Sequence, residues 1–127
     1  MKTNNKKYVD GFVIPIKKKD LAAYTKMAQW GAEMWKKYGA LEYFECVGDD
    51  LKVKKNIGQG FGKLAKLKPN ETVVFSWIVY KSKAHRDMVN KKVMAEMDKQ
   101  AEKYKDMPMP FDMKRFSCGG FKTIVEA

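Results

Sequence analysis

Residues 72–80, TVVFSWIVY, constrain the fold more than any other stretch of this chain. The run is β-branched and aromatic and reads as a strand. Successive side chains of a strand point to opposite faces. Val73, Phe75, Trp77 and Val79 therefore share one face, and Val74, Ser76, Ile78 and Tyr80 the other. Both sets are apolar. A sheet with one wet face alternates apolar and polar residues, and this strand does not. It belongs to a sheet that something covers on both sides.

The rest of the pattern supplies the other elements. Residues 8–16, YVDGFVIPI, read as a first strand, with Tyr8, Asp10, Phe12 and Ile14 on one face and Val9, Gly11 and Val13 on the other. Lys17-Lys18-Lys19-Asp20 is a turn, and Asp20 suits a helix N-cap. Leu21, Tyr24, Ala28, Gly31, Trp35 and Tyr38 then recur at helical spacing, widened by Met27 and Met34, and Gly39 suits a left-handed C-cap. Residues 41–47, LEYFECV, are a second strand closed by Gly48-Asp49-Asp50. Residues 51–71 are glycine- and lysine-rich, with one helical turn expected in FGKLAKL and with Phe61, Leu64 and Leu67 available to pin the loop. Ser82 caps a second helix, SKAHRDMVNKKVMAEM, and residues 111–125 hold a last strand with a kink at Gly119-Gly120.

The order is β-α-β-β-α-β. Two right-handed crossovers interleave into a four-stranded antiparallel sheet of order 4-1-3-2, with both helices on one face. This is an α+β fold, the ferredoxin-like plait. Leaving its second face wet would expose about four or five large side chains, at ~1.5–3 kcal/mol each. The 51–71 loop is too polar to cover that face alone. A second copy of the chain, packed sheet to sheet about a two-fold axis, is the simplest cover.

The 127 residues suit one domain, read as a polar lead-in over 1–7 and a single ferredoxin-like domain over 8–127. The N-terminus lacks the apolar run of a secretory signal, and the longest apolar stretch is about half of a membrane span. A net charge of +11 raises nucleic acid as a partner. Against it, Arg86 and Arg115 are the sole arginines among 26 cationic side chains, and the lysines are dispersed. Phosphate and base recognition favours the bidentate guanidinium. Cys46 and Cys118 fall on the two edge strands, ~14 Å apart at ~4.8 Å per strand, so no disulfide is expected. They read as buried, inert thiols of a cytoplasmic protein.

Several short motifs carry a resemblance. They are YVDGF at 8–12, GAL at 39–41 leading to Glu45-Cys46, Glu71–Tyr80 with Phe75-Ser76-Trp77, and Ser82-Lys83 with Arg86-Asp87. MPFD at 109–112 with Lys114-Arg115, and GGF at 119–121, complete the set. Together they resemble the YbaA-like family of small bacterial proteins of unknown function, over nearly all of residues 8–125. The resemblance implies a ferredoxin-like fold of the dimeric α/β-barrel type and brings no activity with it.

Polar residues inside apolar strands are the main functional clue. Asp10, Glu45, Ser76 and Arg115 interrupt such runs, and Trp77 lies beside Ser76. Because strands four and one are neighbours, Asp10 and Arg115 are expected to pair across the ladder, since a carboxylate on a buried face needs a partner. These five residues are the candidate ligand-binding set; no catalytic residue is assigned. His85 is read as a surface residue of a helix N-terminus, and Arg86 and Asp87 as diverging neighbours. Gly58-Gln59-Gly60-Phe61-Gly62 lacks the strand and the Gly-Lys-Ser/Thr of a phosphate loop. The nine methionines read as core plasticity, and no metal or other cofactor is called for. The leading reading is a homodimer that binds a small hydrophobic or aromatic ligand in a sheet-lined cleft. Behind it stand a cofactor-free oxygenase- or isomerase-like enzyme using Asp10 and Arg115 beside Trp77, and lysine-mediated RNA binding.

Overall fold

The computed structural model describes residues 6–127, so residues 1–5 of the polar lead-in and of the N-terminus lie outside the described residues. Strand β1 (Tyr8–Lys17) runs through a 3-10 turn (Lys18–Asp20) into helix α1 (Leu21–Lys37). Asp20 precedes α1, but its side chain makes no capping bond, because the 3-10 turn already holds it in a helical conformation. Gly39 takes φ +115°, the left-handed exit a C-terminal glycine permits. Strand β2 (Glu42–Val47) follows. The 51–71 loop contains one four-residue helix, α2 (Phe61–Leu64), and leads to β3 (Glu71–Tyr80). Ser82 caps α3 (Lys83–Lys99), its Oγ accepting the His85 N–H at 3.1 Å. A short α4 (Ala101–Tyr104) and an irregular stretch then precede β4 (Ser117–Lys122).

The sheet order is β2-β3-β1-β4, all antiparallel, which is the ferredoxin-like plait. The register creates two rows on the helix-covered face. Glu45, Ser76, Phe12 and Cys118 form one row; Tyr43, Ile78, Asp10 and Gly120 form the next. α1 and α3 close over this face. Ile14, Ile16, Tyr24, Ala28 and Val74 make one cluster, and Met34, Ile78, Tyr80, Val89 and Val93 the other.

The opposite face carries Phe44, Phe75, Trp77 and Phe121. Phe61 of α2 packs edge-on against Phe75 at 5.8 Å, so the basic loop covers part of this face. It leaves an aromatic row in which Trp77 stacks on Phe44 at 5.1 Å and contacts Phe75 at 5.4 Å. Phe44, Phe75 and Phe121 remain 47%, 43% and 61% exposed. Among the described residues no helix is long and apolar enough to cross a membrane.

Two further expectations are corrected. Gly119-Gly120 is no kink: both residues pair regularly with Gly11 and Asp10. Gly120 is small because a Cβ there would strike the Tyr8 hydroxyl and the Arg86 guanidinium. Cys46 and Cys118 are free but exposed rather than buried, because both lie on edge strands and, among the described residues, no further strand pairs outside them.

Candidate functional site

A cavity of about 620 Å³ lies between the helix-covered sheet face, α1, α3 and the irregular segment before β4. Its walls are aromatic and methionine-rich and include Trp30, Trp35, Met94 and Met109, with Phe12 and Phe116 packed together at 5.7 Å. Two groups of polar side chains break this surface.

The first is built around Glu45. On strand β2 it sits opposite Ser76, so both point beneath α1. Tyr24 of α1 donates its hydroxyl to one carboxylate oxygen at 2.6 Å, and Tyr43 donates to the other at 2.7 Å. Tyr43 reaches this position because α1 carries Gly31 there; a Cβ would come within 2.9 Å of the phenol oxygen. Burial, then the bond to Glu45, raises both phenols well above the ordinary tyrosine range. Both phenols remain hydroxyl donors at neutral pH. A second, smaller cavity of about 320 Å³ shares Tyr24, Ala28, Tyr43 and Glu45 with the first.

The second group is built around Asp10, two strands and one row away, ~12 Å from Glu45 at the usual strand spacings. Arg86 of α3 approaches it with Nε 3.5 Å from Oδ1. Asn90, one helical turn on, donates Nδ2–H to Oδ2 at 3.4 Å and accepts from Trp35 Nε1 at 2.9 Å and Tyr80 Oη at 3.2 Å. Arg86 also donates to the Tyr8 hydroxyl at 3.1 Å, lies over that ring, and pairs with Asp87 at 3.2 Å. Arg86 and Asp87 thus meet despite their divergent helical directions, because the long guanidinium folds back. Its Nε is buried and, among the described residues, lacks a well-aligned hydrogen-bond acceptor. Burial first, then the Asp10 carboxylate, raises the Tyr80 hydroxyl.

Of the five candidates, Asp10, Glu45 and Ser76 line this cavity. Trp77 lies on the other face of the sheet. Arg115 is not part of the lining and pairs with Glu71 at 2.6 Å. The expected Asp10–Arg115 pair does not form, for a reason of register: β4 sets Gly120 opposite Asp10 and enters the ladder only at Ser117. The constellation of Asp10 and Arg115 beside Trp77 is therefore taken apart.

His85 is half-buried rather than a free surface group. Its Nδ1 accepts the Lys81 N–H at 3.0 Å, and its ring meets Tyr80 edge-on at 6.1 Å. Burial, helped by Lys81, lowers its pKa. Among the described residues no group of three His, Cys, Asp or Glu side chains is placed to hold a metal. The site residues that sequence reasoning passed over are Tyr24, Tyr43, Arg86 and Asn90. The visible hint was Tyr24 on the apolar stripe of α1 with Gly31 two turns later. Nothing in the spacing joined Arg86 or Asn90 to Asp10.

A ferredoxin-like sheet closed on one side over a mixed polar and aromatic cavity defines the architecture. Residues 7–113 match the family described as Protein of unknown function (DUF1428). The chain is 43% identical over 122 residues to the Uncharacterized protein YbaA of Escherichia coli K12, covering 94% of this chain and 98% of that protein. The YbaA protein of Shigella flexneri is equally similar. The chain belongs to this family. A dimeric ferredoxin-like protein from an uncultured marine organism shares the fold at TM-score 0.54 and 11% identity, over 96% of this chain and 99% of that one. A protein of unknown function from Nitrosomonas europaea shares it at TM-score 0.53 and 9% identity, over 98% and 96%.

Proposed function

We propose that the protein binds a small hydrophobic or aromatic molecule in the cavity beneath α1 and α3, and does so as a homodimer of the α/β-barrel type. The observation that carries the binding reading is the composition of one space: an apolar cavity of about 620 Å³ with a few oriented polar groups on its floor. Small-molecule sites have this character. The exposed methionines at its rim, Met94, Met109 and Met113, supply walls that adapt to the occupant. Asp10, Glu45 and Ser76 are the binding residues, joined by Tyr24, Tyr43 and Asn90.

The homodimer reading is supported by the aromatic row Phe44, Phe75, Trp77 and Phe121 on the uncovered sheet face. The marine protein of the same fold is itself described as dimeric. Cytoplasmic residence is supported by two exposed thiols, on opposite edges of the sheet, that no disulfide joins.

The neutral fluorescent probe N-phenyl-1-naphthylamine tests the cavity. Its emission rises with wild type and falls back with Ala28→Phe, which fills the space from α1. An unchanged signal with that variant places the probe elsewhere and overturns the reading.

A further inference from the structure

The cavity is an acidic spot in a strongly basic protein. The chain carries a formal charge of +11. Yet among the described residues the acidic and basic side chains that line the cavity are Asp10, Glu45 and Arg86, two carboxylates and one guanidinium. Arg86 is already shared between Asp10 and Asp87. Glu45 has no cationic side chain within 4 Å among the described residues; its oxygens accept from two neutral phenols. Neutral donors orient a carboxylate and stabilise its charge without cancelling it. A carboxylate offers about four acceptor positions, so two remain for an occupant. The surface lysines lie outside, and beyond a Debye length of about 8 Å their fields are largely screened.

Resting on the binding reading above, we infer that the occupant is an organic cation: an amine or alkylammonium group set against Glu45, on an apolar or aromatic body held by Trp30, Trp35 and Phe12. An anionic ligand would face Glu45 directly and find Arg86 already committed. A neutral ligand would leave one negative charge unmatched beside an apolar wall, where charges cost most. The aromatic walls add to the preference, since ring faces attract cations.

The test uses three probes with one body: 3-phenylpropylamine, 3-phenylpropanol and 4-phenylbutyrate. Each is titrated calorimetrically into the full chain at neutral pH. The amine is expected to bind at least about tenfold more tightly than the alcohol, a difference of about 1.4 kcal/mol, and the carboxylate most weakly. Glu45→Gln is expected to bring amine and alcohol together. Tyr24→Phe, which keeps the charge and frees an acceptor position, is expected to keep or strengthen the preference, and it serves if Glu45→Gln does not fold. Alcohol or carboxylate binding as tightly as the amine overturns the inference. So does a preference that survives Glu45→Gln or is lost in Tyr24→Phe. If none of the three binds while N-phenyl-1-naphthylamine still reports the cavity, the cation assignment alone falls. If that signal is absent too, the binding reading falls with it.

Discussion

Arg115 holds Glu71 with both arms of its guanidinium, Nη1 to Oε2 at 2.6 Å and Nη2 to Oε1 at 2.8 Å. Nη2 also donates to the Lys66 carbonyl at 2.8 Å, and the Lys68 N–H donates to Glu71 at 2.8 Å. One ion pair therefore ties together the basic loop, the start of β3 and the segment that leads into β4. It is a clasp for the irregular parts of the fold, and neither Arg115 nor Glu71 lines the cavity.

These donors, Arg115 foremost, hold the Glu71 carboxyl at about 2, below the usual carboxylate range. A carboxyl depressed in the folded state adds stability above its unfolded pKa and loses it as the pH falls. Urea midpoints should thus decline from about pH 5 toward pH 2, and Glu71→Gln should flatten that decline. Arg115→Met leaves the buried carboxylate with the Lys68 N–H but no cation and should cost about 3 kcal/mol at neutral pH. A pH profile unaltered by Glu71→Gln would exclude this source.

Gly31→Ala tests the link between α1 and the site. In an exposed helix interior this change stabilises by about 1 kcal/mol. Here the new Cβ meets the Tyr43 hydroxyl at 2.9 Å and pushes it off Glu45. Thermal melts should show no gain, or a loss of about 1 kcal/mol. In a Tyr43→Phe background the hydroxyl is absent and the stabilisation should return. Equal effects in both backgrounds would sever the proposed link.

Tyr24, Tyr43 and Tyr80 carry hydroxyls raised by burial and by Glu45 or Asp10. A group raised in the folded state adds stability below its unfolded pKa and loses it as the pH climbs. Stability should fall above about pH 10. Tyrosinate absorbance from these three should appear together with loss of near-ultraviolet circular dichroism. Ionisation of all three in a fully folded protein would contradict the burial.

Trp77→Glu puts a charge into the aromatic row of the open face. Sedimentation should show wild type near twice 14.7 kDa and the variant near 14.7 kDa. Cys46 shares that face with Phe75 by register, so it should react faster with a thiol reagent in the variant. Cys118 lines the cavity, so its rate should respond to a cavity ligand instead. A wild-type monomer in dilute solution would remove the dimer.

The elements were legible because each rests on local chemistry. The two-sided run of β3, the helical spacing from Leu21 to Tyr38, Gly39 and Ser82 all act within a few residues of themselves. The order β-α-β-β-α-β then left few right-handed topologies, and the plait followed. Asp10, Glu45 and Ser76 stood out as polar residues in apolar runs, and they line the cavity. Arg115 stood out by the same logic and belongs to Glu71.

Sequence alone determined which residues enter the sheet, which face each one takes, and which polar side chains fall among apolar neighbours, because alternation and helical spacing are properties of the chain itself. Tertiary structure decided the pairings. Whether Asp10 meets Arg115 or Arg86 depends on where β4 enters the ladder and on which helix crosses above β1. Whether Glu45 is clamped depends on a glycine in α1 that leaves room for a tyrosine from β2. Contacts of that kind join residues tens of positions apart, and only the packed sheet and helices set their distances.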